Sequence, residues 1–244
     1  MYSKVALSIG GSDSGGGAGI QADLKTFMAL KVHGCTAISC ITAQNSLGVS
    51  CVQAVQKKTL LKQIDALVSD FKISSIKTGM LLNANIVKNV SLKIENYDVP
   101  KIVDPVMVSR TGAVLLKKSA LDAYKKFLFP QTELLTPNIF EANLITGIEI
   151  QSRQDIEDSA EQILKLGSNA VLIKGGGIKK LQGKDFYLDK KGNKNWFTGS
   201  QIETENTHGS GCTLSAAICA HRSLGFNLRD SIKEAKIFVE KSLK

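Results

Sequence analysis

The sequence predicts an α/β protein: a mostly parallel central sheet with helices on both faces, interrupted by a short extra strand and a hairpin. Three observations carry this expectation. Short apolar runs alternate with longer stretches of helical spacing along most of the chain. The apolar runs read as parallel strands covered on both faces. The glycine-rich and polar segments come directly after these runs. That gathers them at the carboxyl ends of the strands, where open α/β sheets bind ligands.

In chain order, Val5–Ile9 reads as the first strand, Gly10–Gly19 as a glycine loop after it, and Ile20–Leu30 as a helix. Thr36–Ile41 is a second strand, followed by Thr42-Ala43-Gln44-Asn45 and a short extra strand at Ser50–Val55. Leu60–Phe71 is helical, Ser75–Thr78 is a strand leading into Gly79-Met80, and Asn85–Ile94 is helical. The strand Lys101–Val103 runs into Asp104-Pro105-Val106-Met107, and Ala120–Phe127 is helical. Glu133–Thr136 is a strand, followed by Pro137-Asn138-Ile139-Phe140-Glu141 and then by the helix Ile156–Leu166. Ala170–Lys174 leads into Gly175-Gly176-Gly177. Lys184–Leu188 and Asn195–Thr198 flank a hairpin signal, and the helices Thr213–Leu224 and Leu228–Ser242 close the chain. Strand–helix alternation implies right-handed crossovers. No repeat or linker interrupts the pattern, so residues 1–244 are expected to form one domain.

Composition narrows the function classes. Hydrophobic residues make up 43% and charged residues 22% of the 244, as in an ordinary globular protein. No apolar run approaches a membrane span, and Met1-Tyr2-Ser3-Lys4 lacks the pattern of a signal peptide, so a cytoplasmic enzyme is expected. The net charge of +9 comes mostly from lysines spread along the chain, with arginine only at positions 110, 153, 222 and 229. Scattered lysine disfavours nucleic acid and suits a small polyanion such as a nucleoside triphosphate. The five cysteines show no metal or disulfide spacing, and Cys35, Cys40 and Cys51 read as small core residues.

The segment Thr207-His208-Gly209-Ser210-Gly211-Cys212-Thr213 is the most informative. Its glycines let backbone N–H groups converge at the start of a helix, a site for negative charge. Cys212 stands where that positive end is expected to lower a thiol pKa, although a small buried residue would read the same way. His208 is expected to shape the turn and not to act as a base. Gly17-Ala18-Gly19-Ile20-Gln21-Ala22 imitates a dinucleotide fingerprint, but no Asp or Glu lies between Leu24 and Ile64 to hold a ribose. No P-loop is present. Asp104 and Glu141 suit hydrated Mg²⁺ or two helix caps, and Lys174 suits a phosphate or solvent.

The stretch Gly10-Gly11-Ser12-Asp13-Ser14-Gly15-Gly16-Gly17-Ala18-Gly19-Ile20-Gln21-Ala22-Asp23-Leu24-Lys25 resembles the opening of the hydroxymethylpyrimidine/phosphomethylpyrimidine kinases of thiamine biosynthesis. Thr42-Ala43-Gln44-Asn45, Lys77-Thr78-Gly79-Met80, Asp104-Pro105-Val106-Met107, Thr136-Pro137-Asn138 with Glu141, Lys174-Gly175-Gly176 and the late glycine turn are similar too. The resemblance runs from Val5 to the last helices. It implies a ribokinase-like three-layer αβα sandwich, ATP as co-substrate, Mg²⁺, a homodimer, and the lid near Ser50–Val55.

It also implies residue roles. Gln44 would recognise the aminopyrimidine edge, Met80 and Val106 would pack on the ring, and Asp23 with the Gly11 backbone would lie near the substrate's polar groups. Asp104 and Glu141 would organise Mg²⁺ through water. Asn138, Lys174 and Thr207 would face the triphosphate. Gly209, Ser210, Gly211 and Cys212 would stabilise the transferring phosphoryl group, with Cys212 as base. Relatives carry a glycine-containing tail after the last helix, whereas this sequence stops at Lys244. A pyridoxal/pyridoxine kinase of the same superfamily, or a non-catalytic pyrimidine-binding sensor, is the alternative.

Overall fold

The computed structural model describes residues 4–107, 118–200, 202, 204 and 207–243. Among them a nine-stranded sheet has the order β3-β2-β1-β4-β5-β6-β7-β8-β9. The strands are β1 (Val5–Asp13), β2 (His33–Gln44), β3 (Val49–Ala54), β4 (Ser75–Thr78), β5 (Lys101–Val103), β6 (Leu134–Leu135), β7 (Ala170–Lys174), β8 (Lys184–Asp189) and β9 (Lys194–Thr198). The run from β2 through β7 is parallel. β3 at one edge and the β8–β9 hairpin at the other pair antiparallel.

The helices are α1 (Gly19–Ala29), α2 (Lys57–Asp70), α3 (Ala84–Ile94), α4 (Lys118–Ala123), α5 (Ile139–Thr146), α6 (Arg153–Lys165), α7 (Ser210–Ser223) and α8 (Leu228–Leu243). Strand period two sorts them into layers. Val5, Leu7 and Ile9 of β1 join one core with residues of α2 through α6. Ala6, between them, joins a second core with α1, α7 and α8. Val171 and Ile173 against Ala170 and Leu172 repeat the alternation in β7. The result is the three-layer αβα sandwich expected.

Several boundaries differ from the sequence expectation. β1 does not end at Ile9; it continues through Gly10-Gly11-Ser12-Asp13, pairing with β2 across a register shift between Gly10 and Gly11. The glycine loop therefore starts later, and Asp13 becomes a strand-end residue. The helix expected to reach Phe127 gives way at Ala123 to a π-helical turn, Tyr124–Leu128, and a 3₁₀ turn containing Pro130. Proline lacks the N–H that would carry an α-helix onward. Cys35 and Cys40 are buried as expected, but Cys51 is exposed on β3. β3 is an edge strand with only one neighbour, and all its residues are exposed. No helix among the described residues is long and apolar enough to cross a membrane.

Candidate active site

The carboxyl ends of β1, β2, β4, β5 and β7 deliver the site's side chains, and the N-termini of α1, α5 and α7 point back at them. α7 begins at Gly209, whose φ of 79° lies in the left-handed region. A Cβ there would sit 1.7 Å from the Gly17 carbonyl oxygen. Glycine is required on both counts, and the two glycine turns touch. A second tie joins them. Asp13 Oδ2 lies 3.2 Å from His208 Nε2 and accepts from the N–H groups of Gly17 and Ala18, while Oδ1 accepts from Gly15. Burial raises the Asp13 pKa, but these N–H donors and His208 outweigh it and hold the carboxyl below its ordinary value. Asp13 and His208 thus organise the rim. His208 was expected to shape the turn; Asp13 was missed, because its role depends on β1 running four residues further.

The opening turn of α7 leaves the N–H groups of Gly211 and Cys212 without an intrahelical carbonyl. The Ser210 N–H turns back onto the Thr207 carbonyl at 3.2 Å. Lys174 stands alongside: its Nζ would be 3.3 Å from a Cβ at Gly211, and it pairs with Asp104 Oδ1 at 3.1 Å. Asp104 Oδ2 accepts from Ser215 of α7 at 3.0 Å. Lys174 is therefore not a solvent lysine. Burial opposes its charge, but Asp104 and Glu141 outweigh burial and hold it above its ordinary value.

Cys212 is half-buried. Burial pushes its thiol pKa up; Lys77 is the largest opposing influence, Asp23 and Asp104 push further up, and a hydrogen bond from the Gly19 N–H pushes down. The net direction is upward. This corrects the expectation of a lowered thiol: the helix start is a favourable place, but the pocket around it is desolvated and holds two carboxylates. Lys77 and Asp23 form a buried pair, with Nζ 2.5 Å from Oδ1 and both side chains 1% exposed. Asp23 Oδ2 accepts from Ser8 at 2.6 Å.

Glu141 caps α5 reciprocally with Asn138. Its Oε2 accepts from the Asn138 N–H at 2.8 Å, and Asn138 Oδ1 accepts from the Glu141 N–H at 2.8 Å. Glu141 Oε1 also accepts from the Met107 N–H at 3.0 Å. Burial, with Asp104 adding to it, pushes the Glu141 carboxyl up to about 7 against the opposing pull of Lys174. Among the described residues, no three His, Cys, Asp or Glu side chains cluster as a direct metal cage.

The expected ring-binding residues sit at the neighbouring strand ends. A Cβ on Gly11 would lie 2.9 Å from Met80 Cε and from Cys40 Sγ, so Gly11 and Met80 share one wall. Gln44 ends β2, where Ser14 Oγ donates to its carbonyl at 2.6 Å and accepts from its N–H at 2.8 Å. Val106 follows β5 with φ 27°, a strained conformation for a β-branched residue and typical of functional sites.

The fold and this rim define a ribokinase-like phosphotransferase: an αβα sandwich with a glycine-opened helix start and a lysine–carboxylate pair at the strand ends. The family model for phosphomethylpyrimidine kinase matches residues 13–244. A hydroxymethylpyrimidine/phosphomethylpyrimidine kinase of Synechococcus elongatus is 47% identical over 100% of this chain and 93% of its own. Its Bacillus subtilis counterpart is 42% identical over 98% and 88%. The crystal structure of a phosphomethylpyrimidine kinase from Clostridium difficile 630 superposes with a TM-score of 0.88 at 38% identity, covering 99% of this chain and 100% of that one. The Staphylococcus aureus pyridoxal kinase in complex with AMP-PCP gives 0.89 at 34% identity, covering 99% and 88%. The chain belongs to the phosphomethylpyrimidine kinase family.

Proposed function

We infer that this protein transfers the terminal phosphoryl group of ATP to 4-amino-5-hydroxymethyl-2-methylpyrimidine, then phosphorylates the monophosphate to the diphosphate. The observation that carries this is the α7 turn with Cys212 inside it and the Lys174–Asp104 pair beside it, in a chain 47% identical to a kinase named for both acceptors.

In the first step the hydroxymethyl oxygen attacks the terminal phosphorus while the bond to the ADP oxygen breaks. The O–H proton passes to Cys212, which serves as base through its minor thiolate form, because burial holds the thiol pKa up. The N–H groups at the start of α7, with Gly209, Ser210 and Gly211 shaping the turn, face the charge that spreads over the transferring group. Lys174, Asn138 and Thr207 face the triphosphate. Gln44 offers a donor and an acceptor to the aminopyrimidine edge, Met80 and Val106 pack on the ring, and Asp23 with the Gly11 backbone meets the polar substituents.

Asp104 and Glu141 would hold Mg²⁺ through water. Both are buried, they repel one another, and each carboxylate keeps lone pairs beyond its present partners. When bound, the ion would neutralise phosphate charge. The backbone bonds of Glu141 to Asn138 and Met107 do not compete, since they use one lone pair of each carboxylate oxygen. The same reading places the enzyme in the cytoplasm with its ATP. It takes the exposed Ile41, Leu47, Val49 and Val52 around β3 as the homodimer face.

In the second step the acceptor is an anionic phosphate, which needs no base. A thiol that stays neutral tolerates it, whereas an aspartate would repel it. A coupled ATP assay with hydroxymethylpyrimidine, its monophosphate and pyridoxal tests the assignment. Turnover of both pyrimidines, with a diphosphate product, is expected; turnover of pyridoxal alone would reassign the enzyme.

A further inference from the structure

We propose that Asp185 and Lys236 are positioning residues for phosphoryl transfer: their pair clamps the turn after β7 and keeps the Asp185 carboxylate off Lys174, which stays on Asp104. The proposal rests on the reading of Lys174 as a triphosphate contact.

Strand register places the groups. Lys174 and Asp185 stand directly opposite one another in the antiparallel β7–β8 pair. Directly opposite residues share a face of the sheet, with Cβ atoms about 5 Å apart. That face lies under α1, α7 and α8: Ala170 and Leu172 of β7 and Tyr187 of β8 all join its core. Yet the lysine does not pair with the acid across from it. Lys174 Nζ lies 3.1 Å from Asp104 Oδ1. Asp185 is held instead by Lys236 of α8, with Nζ 2.5 Å from Oδ2. The Lys236 ammonium also donates to the Gly183 carbonyl at 3.1 Å. α8 delivers this lysine because Ile232, one turn earlier on the same helix face, is buried in that core.

The second Asp185 oxygen holds the turn. The Gly175 N–H donates to Oδ1 at 3.1 Å. Gly175 is the first residue after Lys174, and it has no room to shift: a Cβ there would lie 2.2 Å from the Lys184 carbonyl oxygen. One carboxylate thus ties the end of β7 to α8 through both of its oxygens. The side chains of Asp185 and Lys236 are only 10% and 11% exposed. An ion pair so buried is a poor way to stabilise a fold, because desolvation offsets much of the attraction. Removing Lys236 alone leaves a buried carboxylate without its cation, and Lys174 directly opposite is a cation it can recruit. Lys174 drawn off Asp104 in this way no longer stands beside the start of α7, where Gly211 now adjoins it.

The readout is a split between the two substrates. KM is measured separately for ATP and for hydroxymethylpyrimidine, and the Kd of AMP-PCP by calorimetry. Lys236→Met is expected to raise both nucleotide constants about tenfold and to leave the pyrimidine KM within about twofold of wild type. Lys236→Met combined with Asp185→Asn removes the freed charge and keeps an oxygen for the Gly175 N–H, so it should recover most of the nucleotide affinity. A loss of stability alone would move neither nucleotide constant of the folded enzyme. Should Lys236→Met fail to fold, Asp185→Ala decides: it releases Gly175 and should raise the same two constants. Unchanged nucleotide constants in a folded Lys236→Met or in Asp185→Ala overturn the proposal. So does an equal rise for both substrates, or a double variant as weak as Lys236→Met. Failure of the underlying reading is recognised separately, by a Lys174→Ala enzyme that binds AMP-PCP as tightly as wild type.

Discussion

Gly209→Ala isolates the contact between the two glycine turns. The new Cβ would lie 1.7 Å from the Gly17 carbonyl oxygen, half of the 3.4 Å at which ordinary van der Waals contact begins. Backbone blocks it, so no side chain can swing away. Relief requires α7 or the first glycine loop to retreat by more than an ångström. Displacement of about 1 Å at a catalytic centre costs on the order of 100-fold in rate. The φ of 79° adds about 1–3 kcal/mol of backbone strain. Gly147 provides the control: it has the same φ of 79°, but nothing within 4 Å of its Cβ position. Gly147→Ala should lose stability and keep activity. Gly209→Ala should lose about 100-fold in kcat for both acceptors in the coupled ATP assay, with thermal unfolding confirming a folded protein. A Gly209→Ala enzyme within threefold of wild type would refute the reasoning, because the turns would then not need their present approach.

Asp13→Ala removes an acceptor from three backbone N–H groups and from His208. About 2–4 kcal/mol of stability should disappear in urea denaturation, with activity falling as the glycine loop loosens. The Glu141 carboxyl, at about 7 folded against 4.5 as its ordinary value, binds more protons folded than unfolded between those limits. Stability should therefore fall as pH rises from 4.5 through 7. The stability difference between wild type and Glu141→Gln, followed by chemical denaturation, should shift against wild type over that window and level off above it. A flat difference would show that Glu141 titrates normally.

Much of the fold was legible because β1 and β7 open on apolar runs, Val5-Ala6-Leu7 and Ala170-Val171-Leu172-Ile173, and the helices between the strands are periodic. Boundaries blurred where tertiary pairing decided them. Gly10-Gly11 reads as a loop by composition, yet β2 captures it as strand. Glu133–Thr136 reads as a full strand, but only Leu134–Leu135 pair in register. Most candidate site residues were legible from their places after strands. Lys77 was not, because a lysine inside a four-residue strand looks like an edge residue until Asp23 is seen opposite it. The direction of the Cys212 shift was also invisible. Sequence shows the helix start but not the burial or the carboxylates that α1 and β5 bring to it.

The most direct test of the site is single-turnover kinetics of Cys212→Ala with each acceptor separately. The first phosphorylation should slow far more than the second, because only the neutral hydroxymethyl group must lose a proton. Cys212→Asp should do the reverse, harming the monophosphate step through charge repulsion. Equal losses in both steps for Cys212→Ala, or a Cys212→Asp enzyme that uses the monophosphate as well as wild type does, would contradict the role assigned to the thiol.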